Sequence, residues 1–222
     1  MKAICLLSGG LDSTVTLAYA IREKYEVTAL TINYGQRHVR ELEAAKAVTA
    51  HYGVRHIIMN IPLNNLKSAL TDASIPVPDR KVDDIGYDIP DTYVPARNII
   101  FLSIAAGVAE SEGAECVFIG ANSIDYSGYP DCRPEFFQAF EGMLEVGTKS
   151  GTMGQPVRIE HPILRKTKSD IVKLGKLLDA PLHLTWSCYR GGEKACGRCD
   201  SCVLRLKGFE GAGMKDPVPY EE

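Results

Sequence analysis

Residues 3–7 form an apolar run that breaks at Ser8-Gly9-Gly10, and a helical pattern takes over from residue 11 to residue 22. A strand that turns through two glycines straight into a helix leaves few architectures open. Glycine admits backbone angles and close approaches that a Cβ forbids, and the helix start presents unpaired N–H groups and a positive dipole end to that turn. The next segments repeat the alternation. Residues 26–32 read as a β-branched strand closed by Asn33-Tyr34-Gly35-Gln36, residues 40–51 as an Ala-rich charged helix ended by Gly53, and residues 54–61 as a third strand. Strand–helix alternation of this kind predicts an α/β fold, with a parallel sheet covered by helices on both faces.

Residues 62–91 interrupt the rhythm with Pro62, Pro76, Pro78 and Pro90. A short helix is expected around residues 65–70, inside a long excursion of the kind that often carries function as a lid. Regularity returns with a helix over 98–112, a strand over 115–119 and a polar loop over 120–133. A helix over 134–146 opened by Pro134, a strand over 157–159 and a helix over 167–178 follow, the last with Asp170 near its positive end. The chain divides into an α/β domain, residues 1–183, and a cysteine-bearing subdomain, residues 184–222.

Size and composition agree. A chain of 222 residues with 45% hydrophobic and 24% charged residues has material for a full core, which excludes disorder as its main state. A net charge of −3 gives no overall grip on nucleic acid. No apolar run approaches the roughly 18 residues that a membrane span needs. The N-terminal apolar stretch is too short for a signal peptide and ends in glycines. The seven cysteines are odd in number, and four of them crowd into Cys188-x7-Cys196-x2-Cys199-x2-Cys202. That pattern argues for thiolates on a metal in the cytoplasm rather than for disulfides. Four sulfurs suit tetrahedral zinc in a closed, structural site, with an iron–sulfur cluster as the rival.

The turn itself, Ser8-Gly9-Gly10-Leu11-Asp12-Ser13, lacks the Gly-Lys-Ser/Thr of a Walker loop and the third glycine of the dinucleotide fingerprint. It still has the parts of a phosphate cradle. Backbone N–H groups, the Ser8, Ser13 and Thr14 hydroxyls and the Asp12 carboxylate stand together, Asp12 being suited to orienting the loop or holding magnesium. The hexapeptide resembles the loop of the N-type ATP pyrophosphatases, which cleave ATP between the α and β phosphates and adenylate a substrate oxygen. That likeness implies ATP on Ser8, Gly9, Gly10, Leu11, Asp12, Ser13 and Thr14, with Mg2+.

Further segments narrow the resemblance. Val94-Pro95-Ala96-Arg97-Asn98, the stretch from Asp125 to Phe136 (DYSGYPDCRPEF) and Thr185-Trp186-Ser187-Cys188-Tyr189 before the last cysteines stand in the order found in the 7-cyano-7-deazaguanine synthase family. The likeness spans nearly the whole chain. It implies a Rossmann-like, adenine nucleotide alpha hydrolase-like sheet and the ATP-driven conversion of 7-carboxy-7-deazaguanine and ammonia into the nitrile, in queuosine biosynthesis. It also implies a homodimer with one zinc per subunit, acting on a small molecule rather than on nucleic acid directly. Asp12, Ser13 and Arg97 are the candidate catalytic residues. In the 125–133 loop, Asp125 or Asp131 suits the adjacent N–H donors of a deazaguanine, Tyr126 or Tyr129 suits stacking, and Arg133 suits the substrate carboxylate. Each aspartate has loop capping, and each tyrosine half-buried packing, as its plainer alternative. Lys166 or Lys168 either contacts ATP phosphates or stands solvated at a helix start. Glutamine-dependent relatives carry a cysteine nucleophile where this chain has Lys2, so free ammonia is the expected nitrogen donor. Two other readings compete: a tRNA thiolase, for which Cys132 is the free cysteine in a polar loop, and a zinc-ribbon interaction module on a nucleotide-sensing fold.

Overall fold

The computed structural model describes residues 1–79, 89–124 and 129–221. Five parallel strands form its sheet: β1 (Lys2–Leu6), β2 (Glu26–Asn33), β3 (Arg55–Asn60), β4 (Cys116–Phe118) and β5 (Arg158–Glu160), in the order β3-β2-β1-β4-β5. The hydrophobic runs dictate this arrangement. A strand flanked on both faces by helices has no solvent side, so β1 reads as a continuous apolar segment with four of its five residues buried.

Two faces are covered by different helices. On one face Ile4, Leu6, Leu30 and Ile32 pack with Leu102, Ala105 and Ala109 of α3 (Arg97–Glu112) and with Phe137, Phe140 and Leu144 of α4 (Pro134–Gly147). On the other, Ala3, Cys5 and Leu7 meet Leu17 and Ala20 of α1 (Leu11–Arg22) and Ala45 and Val48 of α2 (Arg40–Tyr52). A one-turn helix, α5 (Lys149–Thr152), follows α4, and α6 (Lys168–Leu177) begins with a capping box in which Thr167 and Asp170 bond each other's backbone N–H. The C-terminal helix α7 (Asp200–Gly211) sends Phe209 into a cluster with Leu11, Val15, Ile163 and Ile171.

Element limits read from the sequence hold to within one or two residues, with one exception. Residues 65–70 are turns rather than a short helix. The Ala69 N–H donates across to the Asp91 carbonyl at 2.8 Å, and the Arg37 guanidinium draws the carbonyls of Ala69, Ala73 and Ile75, so backbone groups that a helix would use internally are taken from outside. Residues 80–88 of the excursion lie outside the described residues.

The order of strands reverses direction between β1 and β4. In open α/β sheets the crevice outside the strand ends at such a switch point is where ligands bind. Two glycines close the geometry there. A Cβ on Gly9 (φ +85°) would fall 2.3 Å from the Glu41 carbonyl oxygen, and one on Gly120, just past β4, 2.9 Å from Ser13 Cα and N. The loop after β1 is therefore clamped between the start of α2 and the end of β4.

Candidate active site

The β1–α1 loop lines a cavity of about 260 Å³ at that switch point. Its hydroxyls are already ordered. Ser13 Oγ donates to the Gly10 carbonyl at 3.2 Å and accepts from the Ser8 N–H at 3.2 Å, and the two serine hydroxyls lie 3.0 Å apart. Gly10 stands at the N-cap of α1 without a capping side chain, so the first-turn N–H groups are left without a side-chain partner beside the cavity. This is the donor set that a phosphate oxygen needs.

Behind the loop sits an ion pair. Lys168 Nζ donates to both Asp12 oxygens, at 3.0 and 2.7 Å, with the Lys168 side chain 9% exposed. Its stem lies flat under α7, where a Cβ on Gly208 would fall 2.4 Å from Lys168 Cγ. Of the two lysines at the head of α6, Lys168 is the one that lines the cavity; Lys166 is not among the lining residues.

Arg97, at the start of α3, also lines the cavity. The preceding Ala96 holds φ 56°, a left-handed conformation rarely taken by residues with a Cβ. Burial opposes the Arg97 charge, but the oxygens of Tyr34, Tyr129 and Tyr189 and the Asp131 carboxylate outweigh it and hold the guanidinium above its ordinary pKa. The same environment raises the Tyr34 hydroxyl to about 12, through burial first.

The residues expected to read the substrate separate into three groups. Tyr129 lines the cavity, its hydroxyl 2.9 Å from that of Thr92. Asp131 is buried and caps α3: its Oδ2 accepts from the Asn98 N–H at 3.1 Å, and its carbonyl accepts from Asn98 Nδ2. Arg133 is exposed at the N-cap of α4, where Pro134 starts the helix, and is not among the residues lining the cavity. Asp125 and Tyr126 lie outside the described residues. In the phosphate loop, Ser8, Gly10, Leu11, Asp12 and Ser13 line the cavity. Gly9 faces α2, and Thr14 is fully buried in the core, its hydroxyl without a partner among the described residues.

Cys132 also lines the cavity, and burial pushes its thiol up to about 11, which disfavours the thiolate form. Glu41 and Arg205, which sequence reasoning passed over, also line the cavity, as do His38, read from the sequence as a packing or surface residue, and Ser187 and Tyr189 of the 185–189 segment, to which it gave no site role. Glu41 and Arg205 sit in ordinary helix patterns, and only the fold brings these five residues together.

Cys188, Cys196, Cys199 and Cys202 place their sulfurs within 4.8 Å of one another. A tetrahedron with Zn–S bonds of about 2.3 Å has edges of about 3.8 Å, and the Cys196–Cys202 sulfur separation is 3.9 Å. Backbone N–H groups of Arg190 and Cys196 point at the Cys188 sulfur, and those of Arg198 and Cys199 at the Cys196 sulfur. Hydrogen bonds from Cys199 and Cys202 hold the Cys188 thiol well below its ordinary pKa. The donor set thus fits a thiophilic metal. It is joined to the cavity through the Trp186 N–H, which donates to the Gly9 carbonyl at 2.9 Å, and through the Trp186 indole, which donates to the Cys188 carbonyl at 3.1 Å.

A phosphate cradle at the switch point of a parallel sheet, with a lysine–aspartate pair beneath it, defines a nucleotide-binding α/β protein. A solved structure described as a predicted subunit of tRNA methyltransferase from Methanocaldococcus jannaschii shares the fold, with a TM-score of 0.50 at 15% identity over 79% of this chain and 74% of that one. The model of the family described as queuosine biosynthesis protein QueC matches residues 2–213. A 7-cyano-7-deazaguanine synthase from Thermoplasma acidophilum is 55% identical over the whole of this chain and 92% of its own length. A second relative, 7-cyano-7-deazaguanine synthase 2 from Desulfitobacterium hafniense, is 58% identical over 99% of this chain and 93% of its own. The chain belongs to the QueC family, the 7-cyano-7-deazaguanine synthases, and this match does not favour a tRNA thiolase.

Proposed function

We propose that the chain is an ATP-dependent carbon–nitrogen ligase that converts 7-carboxy-7-deazaguanine and ammonia to 7-cyano-7-deazaguanine. The observation that carries the reading is the meeting, in one cavity, of the uncapped N-terminus of α1, the Lys168–Asp12 pair and the Arg97 guanidinium. A carboxylate is a poor electrophile, and activation at its oxygen gives it a leaving group. The substrate carboxylate attacks the α-phosphorus, the bond to the bridging oxygen breaks, and pyrophosphate leaves with that electron pair. The α1 N–H groups and the Ser8 and Ser13 hydroxyls stabilise the charge gathering on the phosphates, and Lys168, oriented by Asp12, adds a fixed positive charge. Arg97, kept charged by its ring of phenols, suits the substrate carboxylate or the α-phosphate. Ammonia then displaces AMP to give the amide. A second adenylation at the amide oxygen, with release of a second pyrophosphate, followed by loss of both protons from nitrogen and of AMP, gives the nitrile.

Asp12 is the carboxylate nearest the phosphate loop and suits a Mg2+ held mainly by ATP, which would neutralise phosphate charge. Zinc on the four cysteines has a structural role, since a closed sulfur site leaves no position for substrate. Residues 184–222 act as a zinc-binding subdomain fastened to residues 1–183. The 125–133 loop, with Asp125, Tyr126 and Tyr129, reads the deazaguanine, while Asp131 holds the loop to α3. A homodimer and a reducing, cytoplasmic setting fit the family reading and the four thiolates.

Substrate-dependent pyrophosphate release tests this reading. Asp12→Ala and Ser13→Ala are expected to abolish it while leaving the fold intact, and near-normal turnover in both variants would remove the loop from the mechanism.

A further inference from the structure

Among the residues lining the cavity, two carry a carboxylate, Asp12 and Glu41. Asp12 is engaged by Lys168 through both oxygens. Glu41, in the first turn of α2, makes no side-chain hydrogen bond or ion pair among the described residues. Its backbone is held against the phosphate loop, because the Gly9 Cα lies so close to the Glu41 carbonyl that no Cβ fits between them. Three cations of the wall have other engagements: Arg37 binds the carbonyls of Ala69, Ala73 and Ile75, Arg205 is paired with Asp216, and Lys168 with Asp12, while Arg97 acts on Glu41 through its charge without hydrogen-bonding it.

A half-buried carboxylate without a partner is costly, and a small cation able to hydrogen-bond would relieve that cost. The proposed reaction supplies one, since its nitrogen donor is ammonium at neutral pH. We propose that the Glu41 carboxylate is the ammonium-binding group of this enzyme, accepting a charge-assisted N–H bond and holding the nitrogen beside the phosphate loop where the acyl adenylate forms. The inference rests on the ligase reading above.

Burial pushes the Glu41 carboxyl up to about 7, with Arg97 opposing and the Cys188 thiol adding to the rise, and a bound cation would draw it back down. Tyr34 faces it too, and its own hydroxyl is raised in part by the Glu41 charge. None of these three groups hydrogen-bonds to it among the described residues.

The test compares ammonium with hydroxylamine, a nucleophile that is mostly uncharged at neutral pH. In Glu41→Gln the KM for ammonium is expected to rise at least about tenfold, the equivalent of one charge-assisted hydrogen bond. Hydroxamate formation from hydroxylamine, the KM for ATP and ammonia-free adenylation should stay within about twofold of the unmodified enzyme. In the unmodified enzyme, potassium ion, similar in size and charge, should compete with ammonium and not with hydroxylamine, a readout that does not depend on the variant folding. An unchanged ammonium KM, absence of potassium competition, or a rise confined to the KM for ATP (a ribose hydroxyl at Glu41) would each overturn the assignment, as would an equal fall in every step. Absence of substrate-dependent adenylation in the unmodified enzyme would instead overturn the ligase reading itself.

Discussion

Lys168 and Asp12 stand 156 positions apart, and nothing local to either announces the other. Thr167 and Asp170 are readable as a helix start from sequence alone, because a hydroxyl followed three residues later by an acid is a capping signal. That fixes Lys168 as the first helical residue but not the direction of its side chain. The choice between Lys166 and Lys168 is made by tertiary packing, where Gly208 of α7 leaves room for the Lys168 stem. Lys168→Met keeps the stem and removes the charge. It is expected to slow pyrophosphate release by roughly 10²–10³-fold, as for loss of one preorganised donor at a developing charge. Lys166→Met should change it by no more than a few-fold. Equal effects in steady-state assays of the two variants would contradict the assignment. Asp131 gives the opposite lesson. Its residue type suits a purine edge as well as a helix cap, and in the structure its Oδ2 accepts from the Asn98 N–H at 3.1 Å, a capping bond that no local pattern announces.

At the scale of elements, strands and helices were legible because apolar runs, glycine stops and helix-start residues agree with one another. The excursion after β3 was not, since its backbone partners, Asp91 and Arg37, are remote in sequence. The link between α7 and the cavity was equally hidden. Arg205, 3% exposed in its side chain, pairs with Asp216 through two bonds of 2.7 and 3.0 Å and donates to the hydroxyls of Thr185 and Ser187 and the carbonyl of Leu182. Tyr220 completes the group by donating to Asp216. Removing one partner of a buried pair leaves an uncompensated charge, which costs about 3–5 kcal/mol. Asp216→Ala is therefore expected to lower stability by that order in urea unfolding and to weaken turnover through the 185–187 segment. A change below about 1 kcal/mol would mean that Arg205 finds a replacement partner.

For the molecule as a whole, the two signals read first in the sequence, the glycine turn and the cysteine cluster, prove to be adjacent in space. Trp186 bonds the turn with its backbone and the cluster with its indole, and the Arg40 guanidinium lies 4.4 Å over its ring. Metal loss should consequently reach the active site without unfolding the sheet, whose core does not include these four cysteines. Cys196→Ala and Cys199→Ala are expected to lose bound zinc, melt several degrees lower and lose most activity, while far-ultraviolet dichroism stays near native. Zinc-free protein with unchanged melting and full activity would refute a structural metal, and a visible iron absorption band would replace zinc with a cluster.

The most direct test of the account is product analysis. Incubated with ATP, Mg2+, ammonium and 7-carboxy-7-deazaguanine, the purified protein is expected to yield 7-cyano-7-deazaguanine by mass spectrometry, with AMP and pyrophosphate released in step. ATP binding with no pyrophosphate release and no nitrile would contradict it, and would leave a nucleotide-sensing zinc module in place of a ligase.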